Sequence, residues 1–184
     1  MLSSISDIAT IQTGIFPKTV QKGDAILLQV KHFNALGQVS SFLQPEVLWS
    51  KNYHKHLLNP GDIIFAAKGS NNFAAVVDYN NTLCVASTSF LVLKLKDKRI
   101  YPPYISWYLN NPDTLGSIKA MSRGTKIPSI SKKDLAEIKI PIPNLETQKK
   151  IVELFNLRIK EKQLKLQIEK LRDVIFQHQL MSKT

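Results

Sequence analysis

The sequence predicts an α+β protein: an irregular, β-rich globular part with a few short helices, followed by one long C-terminal helix that forms a coiled coil. Three observations carry this. Apolar runs of four to six residues, bounded by Gly, Pro and Asn, recur through the first 140 positions. From Leu145 to Leu180 there is neither Gly nor Pro, and Leu, Lys, Gln, Glu, Ile and Arg dominate, all good or ordinary helix formers. Between the two lies Pro141-Ile142-Pro143-Asn144. Its prolines favour an extended edge path, and Asn144 offers a helix N-cap. The expected division is a domain over 1–143 and a helix over 144–184.

In chain order, Ile5, Ile8 and Ile11 suggest short strand structure that Gly14 interrupts, and Ala25–Val30 reads as a buried strand. Lys31-His32-Phe33-Asn34-Ala35-Leu36-Gly37 is a polar, basic loop. Asn59-Pro60-Gly61-Asp62 is a turn that launches a strand over Ile63–Ala67. The loop Lys68-Gly69-Ser70-Asn71-Asn72 leads to a second run, Phe73–Val77, and Leu83–Ala86 with Phe90–Leu95 reads as a further strand pair. Prolines 102 and 103 fit the first turn of a helix through Leu109, and Asn111-Pro112-Asp113 starts another. Ser122–Lys126 is a basic loop, Ser131 with Asp134 caps a short helix, and Glu137–Ile140 alternates as a strand.

The 36 positions from Leu145 to Leu180 span about 54 Å as a helix, more than a small domain needs to cover its core. Leu145, Val152, Ile159 and Leu166 recur every seven residues with Phe155 beside them. Leu157, Leu164 and Leu171 form a second series, joined by Ile168 and Ile175. At 100° per residue the two series lie roughly 120–160° apart. One face is therefore expected to pack on the globular domain and the other on a second chain; the alternative is a helix sandwiched within one domain.

Composition narrows function. The chain has 184 residues and a formal charge of +11; residues 1–144 hold 16 basic against 9 acidic side chains (+7), and residues 145–184 hold 9 against 5 (+4). A basic domain with a real core is a candidate for phosphate contact. No apolar run reaches the ~20 residues of a membrane span, and the start lacks a secretory pattern, so a cytoplasmic protein is expected. The single cysteine, Cys84, reads as a small buried hydrophobe.

Catalytic signals are weak. Tyr101-Pro102-Pro103-Tyr104 has Tyr where an amino-methylating motif needs an amide or carboxylate, and no Gly-rich cofactor loop follows an early strand. His54 and His56 lack companions at metal-ligand spacing and are expected on the surface. Expected DNA contacts are Lys31, His32 and Asn34; Lys68, Ser70, Asn71 and Asn72; and Arg123, Thr125 and Lys126. They combine cations with amide and hydroxyl groups able to meet phosphates and base edges.

Asn59–Gly69, Ala86–Leu93, Tyr104–Asn110 and the run Ile138-Lys139-Ile140-Pro141-Ile142-Pro143-Asn144-Leu145-Glu146-Thr147-Gln148-Lys149-Lys150-Ile151 resemble the target-recognition domain and spacer helix of Type I restriction-modification specificity subunits. The resemblance implies a non-catalytic reader of one half of a bipartite site in double-stranded DNA. It also implies antiparallel pairing of the long helices and docking of a methyltransferase subunit, which binds S-adenosylmethionine; a restriction/translocase subunit would join them. This chain itself would carry no cofactor. Family members usually hold two recognition domains, and this sequence has one with no internal repeat. It is therefore either a half-length subunit that works as a homodimer or a fragment of a longer chain, and Met1 at its start with a hydrophilic end favours the first as the expectation. The alternative is a protein-assembly or regulatory module that docks an enzyme through its helix without specific DNA binding. The partner-facing helix positions are Val152, Phe155, Leu157, Ile159, Leu164, Ile168, Leu171 and Ile175.

Overall fold

The computed structural model describes residues 2–34, 36–40, 42–69, 71–78, 82–121 and 129–181. The chain opens with β1 (Leu2–Ser4) and a single turn of helix, α1 (Ile5–Ile8). Ser4 makes that turn: its hydroxyl accepts from Asp7 N while Asp7 Oδ2 accepts from Ser4 N at 2.9 Å. Ile5 and Ile8 are thus buried as a helical pair, and strand begins only at β2 (Ala9–Thr13). The expected strand over 25–30 is shorter, β3 (Ala25–Leu28), because Val30–His32 winds into a 3₁₀ turn. β4 (Pro45–Val47), missed in the sequence, precedes β5 (Ile63–Ala66) and β6 (Ala74–Val76).

β7 (Leu83–Ala86) and β8 (Phe90–Leu95) are not partners of each other, contrary to expectation. β7 runs parallel to β3, whereas β8 lies between β2 and β5 in an antiparallel sheet of order β2-β8-β5-β6. The reason is the tight turn closed by Phe90 N on Ser87 O at 2.9 Å, which passes the chain from one sheet to the other. The second sheet has order β4-β3-β7.

Alternation along the strands stacks these layers. Ile63, Phe65, Leu91 and Leu93 face one core, while Ile64, Ala66, Phe90 and Val92 face another that they share with Ile26, Leu28 and Cys84 of the second sheet. Cys84 is buried there, where loss of water pushes its thiol up to about 12. Phe33, Phe73 and Phe90 form a ring cluster with centroids 5.4–6.0 Å apart.

The outer face of the four-stranded sheet is covered by α2 (Pro102–Leu109), α3 (Pro112–Met121) and α4 (Lys132–Glu137). The expected caps are present: Asn111 Oδ1 accepts from Asp113 N at 3.0 Å, and Ser131 and Asp134 form a reciprocal box. Glu137 closes α4 instead of starting a strand; β9 (Lys139–Pro141) follows and pairs with β1. At the free edge of β6, Asn110 Oδ1 accepts from Ala74 N and Asn110 Nδ2 donates to Ala74 O, both at 2.8 Å.

α5 (Leu145–Met181) begins where Asn144 Oδ1 accepts from Thr147 N at 2.8 Å. One turn in, Gln148 is fully buried. Its Oε1 accepts from Tyr101 N at 2.8 Å, and its Nε2 donates to Pro143 O at 2.8 Å and Arg99 O at 3.1 Å. Val152 is buried next, and the Phe155 ring meets Trp107 of α2 at 6.4 Å. Beyond Ile159 every described residue of the helix is exposed, so it is not sandwiched within this domain.

Replacing Gln148 by Leu keeps the volume but leaves one buried N–H and two carbonyls without their partner. The unfolding free energy in urea should fall by about 2–4 kcal/mol. A loss below about 1 kcal/mol would show that the amide does not hold the joint.

Candidate nucleic-acid interface

The strand ends decide where the loops gather. β2 finishes at Thr13 opposite Leu91, β5 finishes at Ala66 opposite Phe90, and Ala74 at the start of β6 lies opposite Phe65. β3 and β7, being parallel, both finish at this same end, with Ser87 N donating to Leu28 O at 2.9 Å. The segments Gly14–Lys18, Gln29–Gln38, Lys68–Phe73 and Ser87–Ser89 therefore leave both sheets on one side.

Backbone bonds tie these segments together. Ile15 N donates to Ala86 O at 2.8 Å and Ala67 N to Ser89 O at 2.9 Å. Gly14 is required by this approach, since a Cβ there would fall inside the van der Waals radius of the Ser87 carbonyl oxygen. Lys68 pairs with Ser129 across an antiparallel bridge, and Ile130 N donates to Ala67 O at 2.8 Å. The segment holding Arg123, Thr125 and Lys126 lies outside the described residues, as does Ser70, but its re-entry point at Ser129 is fixed beside Lys68.

The expected contact residues divide by what their side chains already do. Lys68, at the entrance to Gly69 (φ 96°), and Asn71 are exposed. Asn72 lies under the loop, 6% exposed, donating from Nδ2 to Ala66 O at 2.9 Å. Asn34 builds its own turn: Oδ1 accepts from Leu36 N at 2.9 Å and Gln38 N at 3.0 Å, and Nδ2 donates to Gln38 Oε1 at 3.1 Å. Both amides shape loops and are largely spent within the chain. Lys31 is exposed on the 3₁₀ turn, beside half-buried His32, whose Nδ1 accepts from Gln29 N at 3.2 Å and leaves Nε2 to carry the proton.

Two further groups share this end and were not singled out in the sequence: Phe16, 88% exposed, and Lys18. Their signal was the spacing of Gly14 and Pro17, which marks a tight, outward loop. Among the described residues no carboxylate pairs with Lys18, Lys31 or Lys68. At the opposite end two cations are paired with carboxylates: Lys94 Nζ meets Asp62 Oδ2 at 2.9 Å, and Arg99 meets Asp97 at 2.7 Å. Asp97's carboxyl is held below its ordinary range by hydrogen bonds from the Arg99 side chain and backbone. His54 is exposed, as expected, but His56 is half-buried. Among the described residues no cluster of His, Cys, Asp and Glu is suited to a metal, and no helix is long and apolar enough to cross a membrane.

The molecule thus presents an open end of basic and amide-bearing loops on a β-rich body, with an exposed helix leaving that body. Residues 1–170 match the family described as Type I restriction modification DNA specificity domain, and the chain belongs to that family. It is 30% identical over 100 residues to the Type I restriction enzyme MjaVIII specificity subunit of Methanocaldococcus jannaschii, covering 54% of this chain and 22% of that protein. It is 34% identical over 85 residues to the MpnII specificity subunit of Mycoplasma pneumoniae, covering 46% and 24%. The chain thus spans well under half the length of these relatives. The fold is like that of the HsdS subunit from Thermoanaerobacter tengcongensis, with TM-score 0.63 and 19% identity over 88% of this chain and 37% of that one. It is also like the S subunit from M. genitalium, with TM-score 0.56 and 16% identity over 88% and 40%.

Burial, then Lys31, lower the His32 pKa below its ordinary 6.5, against a smaller opposing pull from Glu46. The unfolded chain therefore binds the proton more readily. The stability this adds is present above 6.5 and is lost as pH falls through the lowered folded value. Stability should be lower at about pH 5 than at about pH 7, and His32→Gln should remove part of that difference. An imidazole that titrates at or above 6.5 by NMR would contradict this.

Proposed function

We propose that this chain is a DNA-reading specificity subunit of a Type I restriction-modification system, in which residues 1–143 read one half of a bipartite site and residues 144–184 serve as spacer and docking helix. The observation that carries it is the convergence, in a member of this family, of the loops after β2, β3 and β5 beside the re-entry point at Ser129, with Lys18, Lys31 and Lys68 free of acidic partners among the described residues. Lys18, Lys31, Lys68, Arg123 and Lys126 supply phosphate contact; Asn71, Ser70, Thr125 and the His32 Nε2–H are suited to base edges. Asn34 and Asn72 hold loop shape. Phe16 offers an apolar side chain to a base or sugar.

The assembly pairs two copies through the helix, so that symmetry gives a palindromic bipartite site. A methyltransferase subunit, carrying S-adenosylmethionine, docks on the pair and performs the chemistry, and a restriction subunit joins where restriction is required. Leu157, Leu164, Ile168, Leu171 and Ile175, all 48–62% exposed, are the self-pairing face. Val152, Phe155 and Ile159 lie on the other face, where the helix meets its own domain.

The test is duplex binding across a salt series, with the site defined by sequencing the adenines methylated in the presence of the partner subunit. Phosphate contact gives a steep linear fall of log K with log salt, and Lys68→Ala and Arg123→Ala should each reduce the slope by about 1. Salt-independent binding would favour the assembly-module reading. By light scattering the chain should have a mass near twice 20.8 kDa, and Leu164→Asp should return it to a monomer with its globular fold intact. An unchanged mass in that variant would remove the helix from the interface.

A further inference from the structure

The exposed seam of α5 is interrupted at two positions that complement each other. In heptad terms Leu154, Glu161, Ile168 and Ile175 occupy a, and Leu157, Leu164, Leu171 and His178 occupy d. Glu161 and His178 are thus the two polar members of an otherwise apolar stripe. A parallel pair of copies would set Glu161 against Glu161 and His178 against His178, stacking like groups in the seam. Antiparallel pairing sets a against d, and its register is described by the sum of the facing residue numbers.

Taking the antiparallel pairing that the family resemblance implies, we infer that two copies register with a sum of 339, so that Glu161 of each copy receives a hydrogen bond from His178 of the other, and that these two symmetric contacts fix the register. This inference rests on the homodimer reading above. The same sum sets Leu164 against Ile175 and Ile168 against Leu171, while Leu157 falls opposite position 182 and outside the apolar layers. Shifting by one heptad, to 332, sets Glu161 against Leu171 and His178 against Leu154, leaving both polar groups facing leucine. Position 158, where the helix clears its own domain, falls opposite position 181. At 332, position 181 would instead face 151, on the stretch packed against the globular body.

The flanking charges do not select the register: the basic e positions oppose one another in any antiparallel heptad alignment, and two of the three are neutralised within their own helix. Arg158, Lys165 and Arg172 line the e positions, which face one another in an antiparallel pair. Lys165 is answered within its own helix by Glu161 at 2.6 Å, and Arg172 by Glu169 at 2.9 Å. Glu161 enters the seam already neutralised on its outer side by Lys165, leaving a carboxylate oxygen for the imidazole N–H of the copy. The stripe opposite, Leu166, Phe176 and Leu180, stays uncovered by this pairing.

Cysteine pairs read the register directly. Positions 164 and 175 of one helix are about 16 Å apart and cannot bridge internally, since a disulfide needs Cα atoms within ~7 Å. Oxidised full-length Leu164→Cys/Ile175→Cys should run as a covalent dimer, whereas Leu157→Cys/Ile175→Cys and Leu164→Cys alone should stay monomeric under denaturing conditions. Glu161→Lys should weaken the dimer roughly tenfold, the loss of two partly screened contacts. Adding His178→Glu should restore it to within about threefold, since the opposite charges then face again. Cross-linking of Leu157→Cys/Ile175→Cys or of Leu164→Cys alone in a dimeric protein would overturn the register while leaving the homodimer standing, as would failure of the double charge swap to rescue. A wild-type chain of monomeric mass would overturn both.

Discussion

Gln148 is where the two parts of this molecule become one. A helix that emerges from a β-rich body must be held at an angle, and apolar contact alone leaves that angle soft because hydrophobic attraction has no direction. The amide supplies direction. It joins the first turn of α5 to the entrance of α2 at Tyr101, to the end of the β8 connection at Arg99, and to the chain just before the helix at Pro143. Those three points bracket everything that sets the heading of α5. Val152 and the Phe155–Trp107 contact then follow along α2, but they add adhesion to an orientation already chosen.

The joint also lies apart from Lys68 and from the turn that leads into β8. It is rooted near Arg99 and Tyr101, beyond the far end of β8, while the basic loops leave the near ends of the same strands. Between the joint and Lys68 stand β5 and the first four residues of β8, buried on both faces, whereas Leu36 and Gln38 of the loop after β3 line a cavity together with Val152, Phe155 and Ile159 of α5. Lys68 and Gln148 therefore lie at opposite ends of the β5–β8 pair, so substitutions at the two should act independently. The acidic side chains near the joint, Asp62 and Asp97, are paired with cations, which leaves unanswered positive charge at the end where the loops gather.

The sequence was legible where a residue type has a local physical reason. Asn144, Asn111 and Ser131 announced helix starts because a cap is a contact across three residues, and the two apolar series on α5 announced its two faces because helical period is a local property. What escaped were the long-range choices. Leu83–Ala86 and Phe90–Leu95 are both buried strands, and nothing local tells which neighbour each will take. α1 was missed because four residues are too few for a period, although Ser4 and Asp7 spelled its cap. At the candidate interface, Lys68 is exposed as its type suggests, whereas Asn34 and Asn72 are turned inward by bonds that composition does not reveal. Phe16 was overlooked for the converse reason: an aromatic residue in a sequence reads as core until its surroundings are known.

The pairing of Asn110 with both backbone groups of Ala74 has a consequence for crowded conditions. An unprotected outer strand is a template on which any extended polypeptide, including another copy of itself, can polymerise. Here the template is blocked by an amide that imitates one residue of a neighbouring strand, reinforced by the Ser106 hydroxyl on the same carbonyl at 3.1 Å. Ala74 thus presents no free backbone donor to an incoming strand. The protein is thereby protected at this point from the fibre-like growth that a bare edge strand invites.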